Sequence, residues 1–213
     1  MADDLIFYTN PMSRGRIVRW MLEEVGQPYK TEILEFGPPM KSPDYKAFNP
    51  MGKVPTIIHK GTVVTEAAAI CAYLADAFPE AGLAPPQGDP RRGPYYRWMF
   101  FAAGPVEASL SNTALGFEVP DERRAMIGYG SVEDVMNALE YAVTQSDYIA
   151  GDRFSAADVY VGSQIGWGMM FGTLEKRPAF EAYWQRIGSR PAAIRAREID
   201  GALGAAQQQK TGS

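Results

Sequence analysis

The sequence predicts an α/β N-terminal domain followed by an all-α helical C-terminal domain, on three observations. Strand-like and helix-like segments alternate from residue 5 to residue 77. The stretch "FPEAGLAPPQGDPRRGP", residues 78 to 94, then brings Pro79, Pro85, Pro86, Pro90 and Pro94, whose fixed angles and missing N–H groups neither a helix interior nor a central strand accepts. Beyond that break every periodic segment reads as helix. The division expected is residues 1–79, a linker over 80–90, and 91–213.

The elements follow in order. "LIFY", residues 5–8, is an apolar strand. Residues 14–25 set Ile17, Val18, Met21, Leu22 and Val25 at helical spacing and stop at Gly26, with Pro28 just beyond. Strands are expected over 29–34, 54–58 and 62–64, the last two joined by a turn at Lys60-Gly61, with residues 35–53 as loop. A helix over 66–77 closes the domain. The second domain reads as helices over 91–115, 121–144, 155–171 and 178–188, ending in a frayed tail, "GAAQQQKTGS".

Composition removes several functions. A formal charge of -4 and a pI near 5.2 argue against a nucleic-acid binder, which carries a basic stripe. No apolar run approaches the roughly 18 residues of a membrane span. The N-terminus "MADDLIFYTN" lacks the basic region and long apolar stretch of a secretory signal, so a cytoplasmic protein is expected. One cysteine, Cys71, excludes an internal disulfide, and the lone His59 leaves no cluster of metal ligands. Any Ser-His-Asp site would need that histidine.

Two stretches carry chemistry. In "NPMGKVPTIIHKGTVVTEAAAICAYLADAFP", residues 49–79, Pro55 opens a strand and leaves the backbone of Val54 free to meet another extended chain. Eleven residues on, Glu66 begins an alanine-rich helix whose first N–H groups attract a carboxylate, while Glu66 itself can pair with an ammonium. The plainer alternative is that Thr65 and Glu66 only cap the helix. In "YTNPMSRGRIVRW", residues 8–20, a polar elbow feeds a helix that opens on Arg14 and Arg16, where the dipole disfavours cations. An anion near Ser13 would explain them.

These residues, the preceding strand and helix order, the proline-rich break and "FSAADVYVG" at 154–162 resemble the cytosolic glutathione S-transferases of bacterial type, over nearly the whole chain. The resemblance implies a thioredoxin-like N-terminal domain that binds glutathione as co-substrate and a helical C-terminal domain that builds most of the electrophile site. It implies that Val54, before a cis-Pro55, pairs through its backbone with the cysteinyl part of glutathione. Lys53 would face the glycyl carboxylate, and Glu66 with the N-terminus of its helix would hold the γ-glutamyl end. Ser155 and Asp158 would form a helix cap. It also implies a homodimer. One departure stands out: the family usually has a serine after the acidic residue, and this chain has Ala67, whose backbone N–H remains as donor. A lost charged hydrogen bond of about 1.5–3 kcal/mol weakens binding by roughly ten- to a hundredfold.

The elbow then becomes the place that activates the thiol, since a free thiol with a pKa near 8.5 is only a few per cent thiolate at neutral pH. Four residues can supply the donor. Ser13 sits at the helix entrance, Thr9 and Asn10 resemble the donors of glutathione-dependent disulfide reductases, and Tyr8 resembles the tyrosine-type donor, although the spacing to the arginines fits neither the serine nor the tyrosine pattern. With no cysteine in the elbow, mixed-disulfide chemistry is not expected, and Cys71 reads as core. For the small hydrophobic electrophile the candidates are Met12, Tyr95 and Trp98. The reading is a transferase that adds the thiolate of glutathione to hydrophobic electrophiles; the alternatives are a disulfide or peroxide reductase and a non-catalytic binding module.

Overall fold

The computed structural model describes residues 4–211. They fall into two compact units, one formed by the residues up to Leu83 with those from Arg190 onward, the other spanning Ala84–Ser189.

The first unit is built on a four-stranded mixed sheet. Strands β1 Leu5–Thr9, β2 Lys30–Ile33, β3 Thr56–His59 and β4 Thr62–Thr65 lie in the order β2-β1-β3-β4. β1 is parallel to β2 and antiparallel to β3, and β3 is antiparallel to β4. The parallel pair needs a crossover, which α1 Gly15–Val25 provides. It ends as its sequence requires: Gly26 is left-handed and its N–H donates to the Leu22 carbonyl at 3.0 Å. The β3–β4 turn is the expected pair, with Lys60 and Gly61 both at positive φ as a tight two-residue hairpin demands. α4 Ala67–Ala77 packs on α1, and Phe7, Ile17, Ile57, Ile70 and Leu74 are buried in the core.

Two short helices, α2 Pro38–Lys41 and α3 Pro43–Lys46, occupy the stretch expected as loop. Each is four residues long, too short to show a helical period, yet Ser42 accepts the Tyr45 N–H and Pro43 takes the first helical position. The chain also closes differently from the expected frayed tail. Residues from 204 onward continue a helix, α10 Pro191–Thr211, which packs along α1 within the first unit; Gly212 and Ser213 lie outside the described residues.

The second unit is helical: α5 Arg92–Phe101, α6 Glu107–Ala114, α7 Val132–Gln145, α8 Ala156–Phe171 and α9 Pro178–Gly188. The expected helix over 91–115 is interrupted by a π-turn at Ala102–Val106, where Pro105 has no N–H to give the regular ladder. The helix expected over 121–144 is a 3-10 turn at Asp121–Met126 followed by α7, divided at Gly128 and Gly130. α8 is buried on nearly every side, and its start carries the anticipated cap: Ser155 and Asp158 form a reciprocal capping box. Among the described residues no helix is long and apolar enough to cross a membrane, and no group of His, Cys, Asp and Glu is arranged to hold a metal ion.

Candidate active site

The sheet register brings the two chemical stretches to one end of the first unit. Tyr8 pairs with Thr56 and Thr56 with Thr65. Thr9 is the last residue of β1, Thr56 the first of β3 and Thr65 the last of β4, so Asn10, Pro55 and Glu66 are the residues at which the three strands leave this edge. Elbow, proline turn and α4 N-terminus therefore adjoin the same end of neighbouring strands.

The proline turn is tightly braced. Asn49 Oδ1 accepts the Met51 N–H at 3.1 Å, and the Gly52 N–H donates to the Asn49 carbonyl at 2.8 Å. Gly52 has φ +57, and a Cβ there would fall 2.5 Å from the Met40 carbonyl, so only glycine fits. Lys41 Nζ donates to the carbonyls of Met51 and Gly52 at 2.9 and 2.8 Å. The Lys53 carbonyl accepts from Tyr45 Oη at 2.6 Å and from Asn49 Nδ2 at 2.8 Å, and Tyr45 Oη also meets Thr56 Oγ1 at 2.9 Å. Burial pushes the Tyr45 hydroxyl above its ordinary pKa, although the bonds from Thr56 and Asn49 pull it back, so it keeps its proton to donate. The Val54–Pro55 bond is cis. With the Lys53 carbonyl satisfied, the backbone N–H and carbonyl of Val54 find no hydrogen-bond partner among the described residues. Lys53 is exposed. Sequence reasoning missed Tyr45, Thr56 and the bracing role of Asn49; the Asn-Pro-x-Gly run was the available sign of the turn.

Glu66 occupies the position before α4 with φ 66 and ψ 118, a conformation that non-glycine residues seldom adopt. Its side chain makes no cap bond, so the plain capping alternative does not describe it. The Ile70 N–H bonds to the Glu66 carbonyl at 2.8 Å, which leaves the N–H groups of Ala67, Ala68 and Ala69 at the open helix end. Such backbone is found where surrounding structure imposes it for a purpose.

In the elbow the four donor candidates differ sharply. Thr9 is fully buried, and its hydroxyl lies 1.9 Å from where a Cβ on Gly15 would stand, so it fills the space that this glycine leaves. Asn10 is buried with both ends of its amide committed: Nδ2 donates to the Leu34 carbonyl at 2.8 Å and Oδ1 accepts the Met12 N–H at 2.9 Å. Ser13 is partly exposed at the entrance of α1. Its hydroxyl donates to the Asn10 carbonyl at 2.7 Å and accepts the Gly15 N–H at 3.0 Å. Tyr8 is partly exposed, its ring tilted against Tyr45 and Phe48 at centroid distances of 5.7 and 5.8 Å, and its hydroxyl has no partner among the described residues.

The remaining candidates lie as follows. Met12 is 64% exposed beside Ser13. Tyr95 and Trp98 are buried, with Trp98 edge-on to Phe101 at 5.5 Å and the Arg97 guanidinium 4.5 Å above its indole. His59 pairs with Leu5 at the opposite end of β1 from the elbow and bonds through Nδ1 to Tyr73 Oη at 2.9 Å. Cys71 is buried, and burial pushes its thiol pKa up, away from reactivity.

Family models match both halves of the chain: the glutathione S-transferase N-terminal domain over residues 12–77 and the C-terminal domain over residues 100–191. A glutathione S-transferase of Xanthomonas campestris is 30% identical over 195 residues, 84% of this chain and 91% of its own. One from Escherichia coli O157:H7 is 29% identical over 150 residues, 70% of this chain and 74% of its own. Among solved structures, a glutathione transferase from Methylococcus capsulatus superposes with a TM-score of 0.76 at 26% identity, covering 93% of this chain and 99% of that one. A sphingomonad glutathione S-transferase complexed with glutathione superposes at 0.75 with 27% identity, covering 92% and 98%.

Proposed function

The chain belongs to the glutathione S-transferase family, and from that premise we propose that it activates the thiol of glutathione and adds it to hydrophobic electrophiles. The observation that carries this reading is that β1 ends, β3 begins and β4 ends at one edge of the sheet, where the chain runs into the elbow, out of the Val54–Pro55 turn and into Glu66. Val54 offers the cysteinyl backbone an N–H and a carbonyl, completing an antiparallel pair. Glu66 takes the γ-glutamyl ammonium while the open N–H groups of α4 take its carboxylate. Lys53 faces the glycyl carboxylate from its exposed position.

Ser13 is the thiolate donor in this reading. Its hydroxyl can turn from the Asn10 carbonyl to the sulfur at little cost, because that carbonyl keeps the Ser13 N–H at 3.0 Å. The Gly15 N–H on Ser13 Oγ polarises the hydroxyl in the right sense. The thiol proton passes to solvent as the thiolate forms; the sulfur then attacks the electrophilic carbon, the S–C bond forms, and the leaving group departs with its electron pair. Met12, exposed beside Ser13, is the electrophile contact on this unit. Thr9 and Asn10, on which a reductase reading depends, are buried and engaged. A second donor reading stays in play for one reason, the uncommitted hydroxyl of Tyr8.

Calorimetric titration with glutathione tests the binding half. Glu66→Gln is expected to raise Kd about tenfold by removing a charged partner. Ala67→Ser is expected to lower it by about tenfold, since the new hydroxyl adds a donor to the same carboxylate. Absence of any heat with the wild-type chain would sink the proposal, and unchanged affinity in both variants would move the γ-glutamyl end elsewhere.

The same reading includes a homodimer, for which exposed Phe36, Phe48 and Met51 supply apolar surface. Sedimentation velocity should give twice the chain mass at micromolar concentration; a monomer there would remove the dimer from the proposal.

A further inference from the structure

α10 runs along α1, and it and the residue before it are tied to that helix by three ion pairs, with a further close approach at the elbow. Arg190 donates through Nε and Nη2 to the two carboxylate oxygens of Glu24 at 2.8 and 2.7 Å, and Arg195 pairs with Glu23. Arg19 Nε donates to Asp200 Oδ1 at 3.2 Å. Last, a Cβ on Gly204 would stand 3.9 Å from Met12 Sδ. As the α10 partners rise from 190 to 204, those on the other side fall from 24 to 12, so the helices are antiparallel and the contact ends at the elbow.

The third tie is the unusual one. Arg19 and Asp200 are 2% and 3% exposed, and charges are seldom buried so deeply without a specific arrangement to hold them. Arg19 Nη1 also donates to Tyr29 Oη at 2.9 Å and Thr31 Oγ1 at 2.8 Å, fastening the pair to β2. Burial pushes the Asp200 carboxyl up, while the positive charges of Arg19 and Arg16 pull it back.

We propose that Asp200 is a positioning residue for the thiol chemistry: through Arg19 it holds α1 in register with α10, so that the Asn10–Gly15 turn keeps the Ser13 hydroxyl where the sulfur docks. The link to chemistry rests on the proposed role of Ser13; the hold on the elbow does not.

Two readouts separate them. In Asp200→Ala, amide exchange at Ser13, Gly15 and Arg16 should quicken by about tenfold while Ile57 and Ile58 of β3 change by less than about twofold. Ultraviolet titration should show the glutathione thiol moving back toward its free pKa, with glutathione Kd unchanged within about twofold, because Val54 and Glu66 hold the tripeptide. Asp200→Asn, which keeps the side-chain shape and an acceptor for Arg19 Nε but removes the charge, should give the same signature in smaller measure and serves if Asp200→Ala does not fold. Equal acceleration in elbow and β3 would reduce Asp200 to general stability and overturn the proposal, as would an unchanged elbow. A thiol pKa that falls, as an uncompensated Arg19 charge alone would make it, also overturns it. If the wild-type chain itself fails to shift the thiol, the Ser13 reading fails, and exchange still decides whether Asp200 holds the elbow.

Discussion

Ser13→Ala is expected to return the bound glutathione thiol to a pKa near 8.5 and to lower the conjugation rate at neutral pH by about a hundredfold, the scale of losing one well-aimed donor to a developing anion. The sign follows from linkage: a donor that prefers the thiolate holds the pKa down, and its removal lets the pKa rise. The variant also loses the bond from the Gly15 N–H to Ser13 Oγ, a cost of about 1 kcal/mol in stability, so thermal unfolding must be read alongside. Glutathione affinity should hardly move, because the tripeptide is gripped at Val54 and Glu66. Tyr8→Phe is the companion: it removes only the hydroxyl and leaves the ring against Tyr45 and Phe48. An unchanged Ser13→Ala beside a crippled Tyr8→Phe would transfer the role to Tyr8.

The largest stability effect is expected at Asp158. Its buried carboxylate accepts from the Ile149 N–H at 2.8 Å, the Ser155 N–H at 2.9 Å, Ser155 Oγ at 3.0 Å and Tyr183 Oη at 2.8 Å. Asp158→Ala removes the acceptor of all four; the Ser155 hydroxyl can turn elsewhere, but the other three are left buried and unpaired, each at about 1–3 kcal/mol, a large share of the roughly 5–15 kcal/mol that holds a domain. Urea denaturation should show a loss of at least about 3 kcal/mol with an unchanged slope. The same residue sets a pH dependence. Burial raises its pKa to about 6, against the pull of the four donors. A carboxyl whose folded pKa lies above its unfolded value near 3.9 stabilises the fold fully below about pH 4 and loses that contribution as pH rises through about 6. Relative to Asp158→Asn, the wild type should therefore gain about 2–3 kcal/mol on acidification from pH 7 to pH 4. The opposite slope would mean that the donors outweigh burial.

How far the sequence could be read depended on the range of the interaction behind each feature. Gly26, the Lys60-Gly61 turn and the Ser155–Asp158 box were legible because each is a bond between near neighbours. The proline turn stood out for the same reason and Glu66 as an acid at the start of an alanine-rich helix, whereas the positive φ of Glu66 had no sign in the sequence. α10 was not legible: "GAAQQQK" has the small and polar residues of a loose tail, and what orders the helix is a set of ion pairs to Glu23, Glu24 and Arg19, more than 160 positions away. The elbow fell in between. Its four donors were visible as residue types, but their prior commitments, Thr9 filling the space at Gly15 and Asn10 spanning to Leu34, are tertiary facts.

The first measurement is a pH titration of the ultraviolet thiolate absorbance of glutathione in the presence of excess wild-type protein, at a concentration where calorimetry shows the tripeptide bound. A bound thiol that titrates well below 8.5 is the result expected of an elbow that stabilises the anion. A bound thiol that titrates as it does free in solution would contradict it, leaving a site that holds glutathione without activating it.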